Sequence, residues 1–412
     1  MRIALVTETF PPEVNGVAMT MGRIVDGLAS RGHALQLVRP RQASEHGEAQ
    51  RTDIEEVLAA GMPVPNYPEL RLGFPAKNKL IKLWVEERPD IVHVVTEGPL
   101  GWSALAAARQ LNLPVSSSFH TNFQSYSQHY GFGLLKTMID VYLRWFHNCT
   151  EVTMVPTAAL VLDLQSRGYK NVGLLSRGID VALFSPAKRS QDLRASWSVS
   201  EGDLVVLLVG RLAKEKNAEL VVKAFQAIKV QNPLAKLIFV GDGPLRKALQ
   251  AACPEAIFTG NQKGEDLAAH YASADLFLFP SLTETYGNVV PEAMASGLAV
   301  VSYAHAAAKD LIQTGVNGMQ VAFNDELAFV RVAVEVATDS KLAATLRSNA
   351  AQSVAHLGWD GIYDSFEGHL SEVLAHHAQR MRASPILMRD PSVSPLDKAK
   401  PLGASMMTVE PC

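Results

Sequence analysis

The sequence predicts an α/β protein built from two doubly wound parallel sheets. Three observations carry this. Short runs of Val, Ile and Leu recur along the chain, as parallel strands buried on both faces require. Stretches with a helical period lie between them, giving the strand–helix–strand alternation of a parallel sheet. The alternation runs from Met1 to about Gly178, breaks, and restarts at Leu204. One open sheet carrying every strand would approach the limit of about ten, so two sheets fit better.

The strand runs, in order, are Ile3–Val6, Leu35–Val38, Ile91–Val95, Val115–Phe119, Val152–Val155, Leu204–Val209, Leu237–Val240, Leu276–Phe279 and Val300–Tyr303. Helical periods fall at Val17–Ala29, Leu105–Leu111, Ala218–Ile228 and Asp266–Ala272. The break, FSPAKRSQDLRASWSVSEGD, is polar and reads as a linker with one short helix. The segment from about Asp325 to His376 reads as mostly helical. The expected organisation is a first domain over 1–183, a second over 184–357, and helices at about 358–380 returning to the first. Residues 384–412 hold five prolines and no apolar period, the pattern of a mobile tail.

Composition narrows the function classes. A formal charge of 38 − 41 = −3 argues against a nucleic-acid partner. Cys149, Cys253 and Cys412 have no metal-ligand spacing, which favours a reducing cytosol. The apolar run Ile3–Val6 is too short for a signal-peptide core, and no stretch reaches the ~18 apolar residues of a membrane span. The expected location is cytoplasmic, with attachment to the inner face of the membrane left open.

Ligands of open α/β sheets bind beyond the carboxyl ends of the strands, so the polar residues just after each run matter most. After Leu204–Val209 come Arg211 and Lys216, a planar fork and a point charge suited to phosphate. After Leu276–Phe279 comes PSLTETYGNVVPEAMASG. Here Gly287, Asn288 and Val289 begin a helix whose N–H groups and dipole attract an anion. Glu284 precedes that helix and Glu292 falls in its first turn. Carboxylates beside a phosphate site are tolerated where they accept from hydroxyls, which suggests a sugar and a ribose. Gly16 follows the first strand, where a bare backbone can approach phosphate. His120 follows the fourth. Asp242, in Gly241-Asp242-Gly243-Pro244, reads as a cap for the helix after it. Each feature also has an ordinary reading: surface charge, dipole compensation, a turn, a structural histidine.

Taken together the motifs resemble the retaining glycosyltransferases of family 4, which have the GT-B fold. The resemblance rests on TETFPPEVNGV, RPDIVHVVTEGPLG, SRGIDVALFSP, VGRLAKEKN and TETYGNVVPEAMASG, and spans roughly Met1 to His376. It implies two Rossmann-like domains facing a cleft, with the donor bound to the second. It implies that Arg211 and Lys216 clamp the donor diphosphate, that Glu292 holds the ribose, and that Glu284 contacts the transferred sugar. Amides of Gly287, Asn288 and Val289 would support sugar and phosphate, Gly16 would close over the diphosphate, and His120 would lie near the sugar C6 hydroxyl. The phrases TEGPLG, FHTNF and RGID are most similar to bacterial GDP-mannose-dependent mannosyltransferases and to enzymes that glycosylate diacylglycerol, the sulfoquinovosyl type included.

The resemblance further implies a hexose moved from GDP-mannose or a UDP-hexose to an acceptor hydroxyl by front-face attack. No covalent nucleophile and no cofactor are expected. No Asp-x-Asp occurs in the chain, so no metal is expected either. A lipid acceptor leads because Arg71, Lys77, Lys79 and Lys82 flank Trp84 in a basic amphipathic stretch suited to an anionic membrane surface. Tyr130–Phe146 is a second such stretch. A soluble saccharide acceptor, a sugar-nucleotide epimerase and a non-catalytic nucleotide-sugar sensor are the alternatives.

Overall fold

The computed structural model describes residues 1–13, 16–42, 51–64, 67–120, 133–284 and 286–383. The tail beyond Ala383 and the residues following His120 lie outside this set. The first half of the chain runs β1 (Arg2–Val6), α1 (Gly16–Ser30), β2 (Ala34–Pro40), β3 (Glu55–Ala59), β4 (Gly61–Val64), β5 (Tyr67–Gly73), α2 (Lys77–Glu86), β6 (Ile91–Val94), α3 (Pro99–Gln110), β7 (Val115–Ser118), α4 (Gly133–Asn148), β8 (Val152–Val155), α5 (Ala158–Ser166) and β9 (Val172–Leu174). Seven of these strands form one parallel sheet in the order β3-β2-β1-β6-β7-β8-β9, and β4 and β5 form an antiparallel hairpin.

The polar stretch after β9 contains a 3₁₀ turn at Pro186–Lys188 and α6 (Gln191–Ser196). The second half then runs β10 (Val205–Val209), α7 (Ala218–Gln231), β11 (Lys236–Val240), α8 (Arg246–Ala252), β12 (Ile257–Gly260), α9 (Gly264–Ser273), β13 (Leu276–Phe279), α10 (Val289–Ala295), β14 (Ala299–Tyr303), α11 (Ala306–Leu311), β15 (Met319–Val321), α12 (Glu326–Thr338), α13 (Ser340–Val354) and α14 (Trp359–Ala383). Its sheet is parallel in the order β12-β11-β10-β13-β14-β15. The expected fold class, two doubly wound parallel sheets, is what the chain adopts.

Alternation along β1 shows the double winding. Ile3 and Leu5 face one core with Met21, Ile24, Val25 and Leu28 of α1, while Ala4 and Val6 face another with Leu80 and Trp84 of α2 and Leu100 and Leu105 of α3. In the second sheet Val206 and Leu208 pack with α7 and α12, and Val205, Leu207 and Val209 pack with α9 and α10. The linker is fastened to this sheet by Asp275, which accepts from Arg189 at 3.1 Å and from Arg194 at 3.2 Å.

Helix α14 crosses back. Its Ile362, Phe366, Leu370 and Val373 are buried in the core that holds Ile3 and Leu5. Arg31, just after α1, donates to Asp364 at 2.6 Å and to Glu367 at 3.0 Å. The bare α-carbon of Gly27 admits the Tyr363 ring, which a Cβ there would meet at 2.2 Å.

Two expectations are corrected. Trp84 is fully buried and its indole donates to Gln36 at 2.7 Å, so it packs α2 onto the sheet and presents nothing to a membrane. Asp242 does not cap α8; it accepts from the Gly243 N–H at 2.7 Å and pairs with Arg246 at 2.9 Å, fixing the turn before the helix. Among the described residues no helix is long and apolar enough to cross a membrane.

The packing of α14 makes a prediction. Phe366→Ala removes a wholly buried ring and is expected to destabilise the chain by ~3–5 kcal/mol, read as a lowered urea midpoint. An unchanged midpoint would show that α14 adds nothing to the first core.

Candidate functional site

In each sheet the strand order reverses beside the first strand, at β1/β6 and at β10/β13. At such a switch point neighbouring crossovers leave in opposite directions and open a crevice at the carboxyl ends of the strands. The loops following these four strands supply Glu8, Gly16, Glu97, Arg211, Lys216 and Glu284.

The loop after β10 is braced from behind. Gly210 N–H donates to Val240 O at 2.9 Å, Leu212 N–H to Asp242 O at 2.9 Å, and Leu245 N–H to Leu212 O at 2.9 Å. This approach requires glycine at 241 and 243, where a Cβ would lie 2.0 Å from Gly210 O and 2.5 Å from Leu212 O. The braced loop ends in the 3₁₀ turn Lys214–Lys216.

Lys216 and Glu284 are brought together. The ammonium pairs with Glu284 Oε1, and Ser281 Oγ donates to the same oxygen at 2.8 Å. The ammonium also lies 5.6 Å from the centre of the Phe279 ring, within cation–π range. The loop carrying Glu284 is tied to the turn carrying Lys216 by Leu282 N–H donating to Glu215 O at 2.8 Å. Gly287 turns this loop at φ +86°, and a Cβ there would meet Glu284 Cγ at 3.4 Å. Asn288 precedes α10 and Val289 opens it. Arg211, in the loop after β10, is exposed.

Glu292 sits apart from the Lys216–Glu284 pair. Its carboxylate accepts from Tyr271 Oη of α9 at 2.9 Å. Burial raises it to about 7, against the pull of the Tyr271 hydroxyl. Gly16 stands at the first position of α1. His120 follows β7 and is held neutral, well below the usual histidine range, by burial first and then by the charges of Arg177, His93 and His147.

Two side chains at the site were not picked out from the sequence. Glu8 lies at the end of β1 and accepts from the Leu100 N–H at the start of α3 at 2.9 Å. Burial raises it to about 7, with a further push from Glu97. Arg177, in the chain leaving β9, is buried against Tyr286, with the guanidinium 5.9 Å over the ring. Each lies just after a strand and inside a motif quoted above, Glu8 in TETFPPEVNGV and Arg177 in SRGIDVALFSP, yet neither residue was singled out there.

The surface residues behave differently. Arg71 donates to Gly61 O at 3.0 Å and Lys79 to Leu58 O at 2.9 Å, while Lys77 and Lys82 are exposed beside exposed Phe74. Helix α4, in the second amphipathic stretch, exposes Met138 and Val141, and α3 exposes Trp102. Among the described residues no group of three or more His, Cys, Asp or Glu could hold a metal ion.

Comparison with known proteins gives the family. Residues 14–183 match the family described as Glycosyltransferase Family 4, and residues 203–339 match Glycosyl transferases group 1. A GDP-mannose-dependent alpha-mannosyltransferase of Corynebacterium glutamicum is 33% identical over 91% of this chain and 90% of its own length. An alpha-monoglucosyldiacylglycerol synthase of Streptococcus pneumoniae is 27% identical over 84% and 81%. Among solved structures, Anabaena Alr3699/HepE in complex with UDP superposes with a TM-score of 0.72 over 90% of this chain and all of that one, at 20% identity.

The raised carboxyl of Glu292 makes a prediction with a definite sign. Its folded value, about 7, lies above its unfolded value near 4.5. The folded state therefore binds the extra proton, and the stability this confers is present below pH 4.5 and lost as pH rises through 7. Glu292→Gln cannot ionise, so the loss of stability between pH 5 and pH 8 should shrink in denaturant titrations. An unchanged pH dependence would show that Glu292 does not titrate there.

Proposed function

The chain belongs to the group 1, family 4 glycosyltransferases and transfers a sugar from a nucleotide-sugar donor; from that premise we propose that it moves a hexose, with retention, to a lipid at a membrane surface. The observation that carries the donor side is the junction of Lys216 and Glu284 at the β10/β13 switch point. A cation for phosphate and a carboxylate for sugar hydroxyls meet there, as the two ends of a sugar phosphate would require. In this reading Arg211 and Lys216 hold the diphosphate. Glu284 and His120 face the sugar, Glu292 takes the ribose, and Gly16 and the backbone at Gly287, Asn288 and Val289 line the phosphate and sugar.

The bond between the sugar and the diphosphate breaks as the acceptor oxygen attacks C1 from the same face. The acceptor proton passes to the departing phosphate oxygen. The protein's task is to stabilise the charge growing on that phosphate, which fixed cations in a water-poor cleft do well. Arg211 and Lys216 supply this charge from side chains, so the reading needs no metal. Glu284 is already committed to Lys216 and Ser281 and is not assigned as a glycosidase-type nucleophile. GDP-mannose is the first choice of donor, after the relative that shares a third of this sequence. A UDP-hexose is second.

The lipid acceptor draws on the diacylglycerol-glycosylating relative and on the exposed apolar side chains Phe74, Trp102, Met138 and Val141 of the first half. Lys77 and Lys82 add positive charge beside Phe74. This would make the enzyme a peripheral protein on the cytoplasmic face.

Two predictions follow from these assignments. Lys216→Ala should lower kcat at least about a hundredfold, the scale of losing one preorganised transition-state donor, with little change in melting temperature and with wild-type turnover persisting in chelator. Full activity of the variant, or complete loss with chelator reversed by Mn²⁺, would overturn the clamp or its metal independence. The protein should also co-sediment at low salt with liposomes containing anionic lipid and be released as salt rises. Absence of binding at low salt would favour a soluble saccharide acceptor.

A further inference from the structure

Arg177 is only 7% exposed, and its Nε is buried without a hydrogen-bond partner. No hydrogen bond or ion pair engages its guanidinium among the described residues. A buried cation without an anion is strongly unfavourable. Burial accordingly lowers this group to about 10, with Tyr286 and Glu284 pulling the other way. A structure that retains such a group leaves room for an anion to complete it.

The surroundings say where that anion sits. The Gly16 α-carbon is so close that a Cβ there would lie 3.1 Å from Arg177 Nη1. Gly16 is the first residue of α1, a 15-residue helix, so the positive end of its dipole and a buried guanidinium converge on one point. From the second sheet the loop at Tyr286 closes the other side. Its ring lies under the guanidinium, and its hydroxyl is 3.1 Å from Ser176 Oγ. Glu284, the partner of Lys216, is close enough to act on Arg177 electrostatically.

We propose that Arg177 binds the donor phosphate bonded to the sugar, reaching it from the first half of the chain while Arg211 and Lys216 reach it from the second. This rests on the donor reading above and adds a third cation to it. The guanidinium would bridge α1 and the Tyr286 loop through the ligand, so it grips the diphosphate only when both halves are in place. Arg177 would not reach the phosphate nearer the ribose, which Arg211 and Lys216 would hold without it.

The test is calorimetric titration of GDP, GMP, UDP and UMP into the full-length wild type, Arg177→Met and Arg177→Lys, with melting curves of the empty proteins. The wild type should bind one diphosphate more tightly than its monophosphate. Arg177→Met should weaken the diphosphate about tenfold to a hundredfold, the scale of a charge-assisted hydrogen bond, and leave the monophosphate nearly unchanged. Arg177→Lys should recover part of the loss. Empty Arg177→Met should melt at or above the wild type, because it loses a buried unpaired charge. Unchanged diphosphate affinity overturns the proposal, and so does an Arg177→Met chain that fails to fold, which would make the residue structural. A raised acceptor KM with intact diphosphate affinity would move Arg177 to the acceptor and overturn it as well. A wild type that binds none of the four nucleotides defeats the donor reading itself, and this inference with it.

Discussion

Neighbouring strands in both large sheets run parallel, so each must be followed by a crossover that climbs back over one face of the sheet. The faces are therefore covered by helices and filled with apolar side chains. The rims at the carboxyl ends of the strands carry the loops between strand and helix. The two reversals of strand order keep neighbouring crossovers apart and leave a crevice in each rim. The Lys216–Glu284 pair lies at one of these crevices. A buried network in the first half (His93 between Ser116 and Ser118, His147 between Ser117 and Glu97) is internally hydrogen-bonded. Helix α14 ties the end of the chain to the first core, so the chain crosses between the halves twice.

The electrostatics of the crevices follow from this placement. The ammonium of Lys216 is neutralised by the carboxylate of Glu284. Each group holds the other in position at little net charge. In the proposed donor site a phosphate and a hydroxyl would enter where the two meet, and each would find a partner already oriented. Glu292 and Glu8 show the complementary device. Burial raises both to about 7, so near neutral pH they can carry a proton.

Much of this was legible in the sequence, and the rest was not for physical reasons. All nine strands read from apolar runs exist, because a buried parallel strand must be apolar on both faces. The strands missed at Glu55–Ala59, Val172–Leu174, Ile257–Gly260 and Met319–Val321 are the sheet edges. They are short and only partly covered, so they can be polar and show no run. Lys216 and Glu284 were legible because each follows a strand within a few residues, and the sheet order then joins them. Trp84 misled because a basic stretch with an apolar side looks alike whether that side meets lipid or a sheet. Gln36, which takes its indole proton, lies forty-eight residues away. Asp242 misled because an acid two residues after a strand commonly caps a helix; here Arg246, four residues on, claims it instead.

Buried arginines show most clearly what the sequence withholds. Arg194 and Arg177 are both buried, and both lie in the segment joining the two halves. Both terminal nitrogens of Arg194 are engaged, donating to Asp275 at 3.2 Å and to the carbonyls of Ser273 at 2.8 Å, Asp203 at 2.8 Å and Ser200 at 2.6 Å, and only its Nε lacks an acceptor. Its charge is matched within the fold, and its work is to dock the linker. Arg177 has an aromatic ring beneath it, a helix start beside it and no acceptor in hydrogen-bonding contact. Residue type and burial are the same, so the difference lies wholly in the partners. An arginine whose partners are all protein belongs to the architecture. One that no protein acceptor engages, beside a helix start and over an aromatic ring, is where we place the ligand.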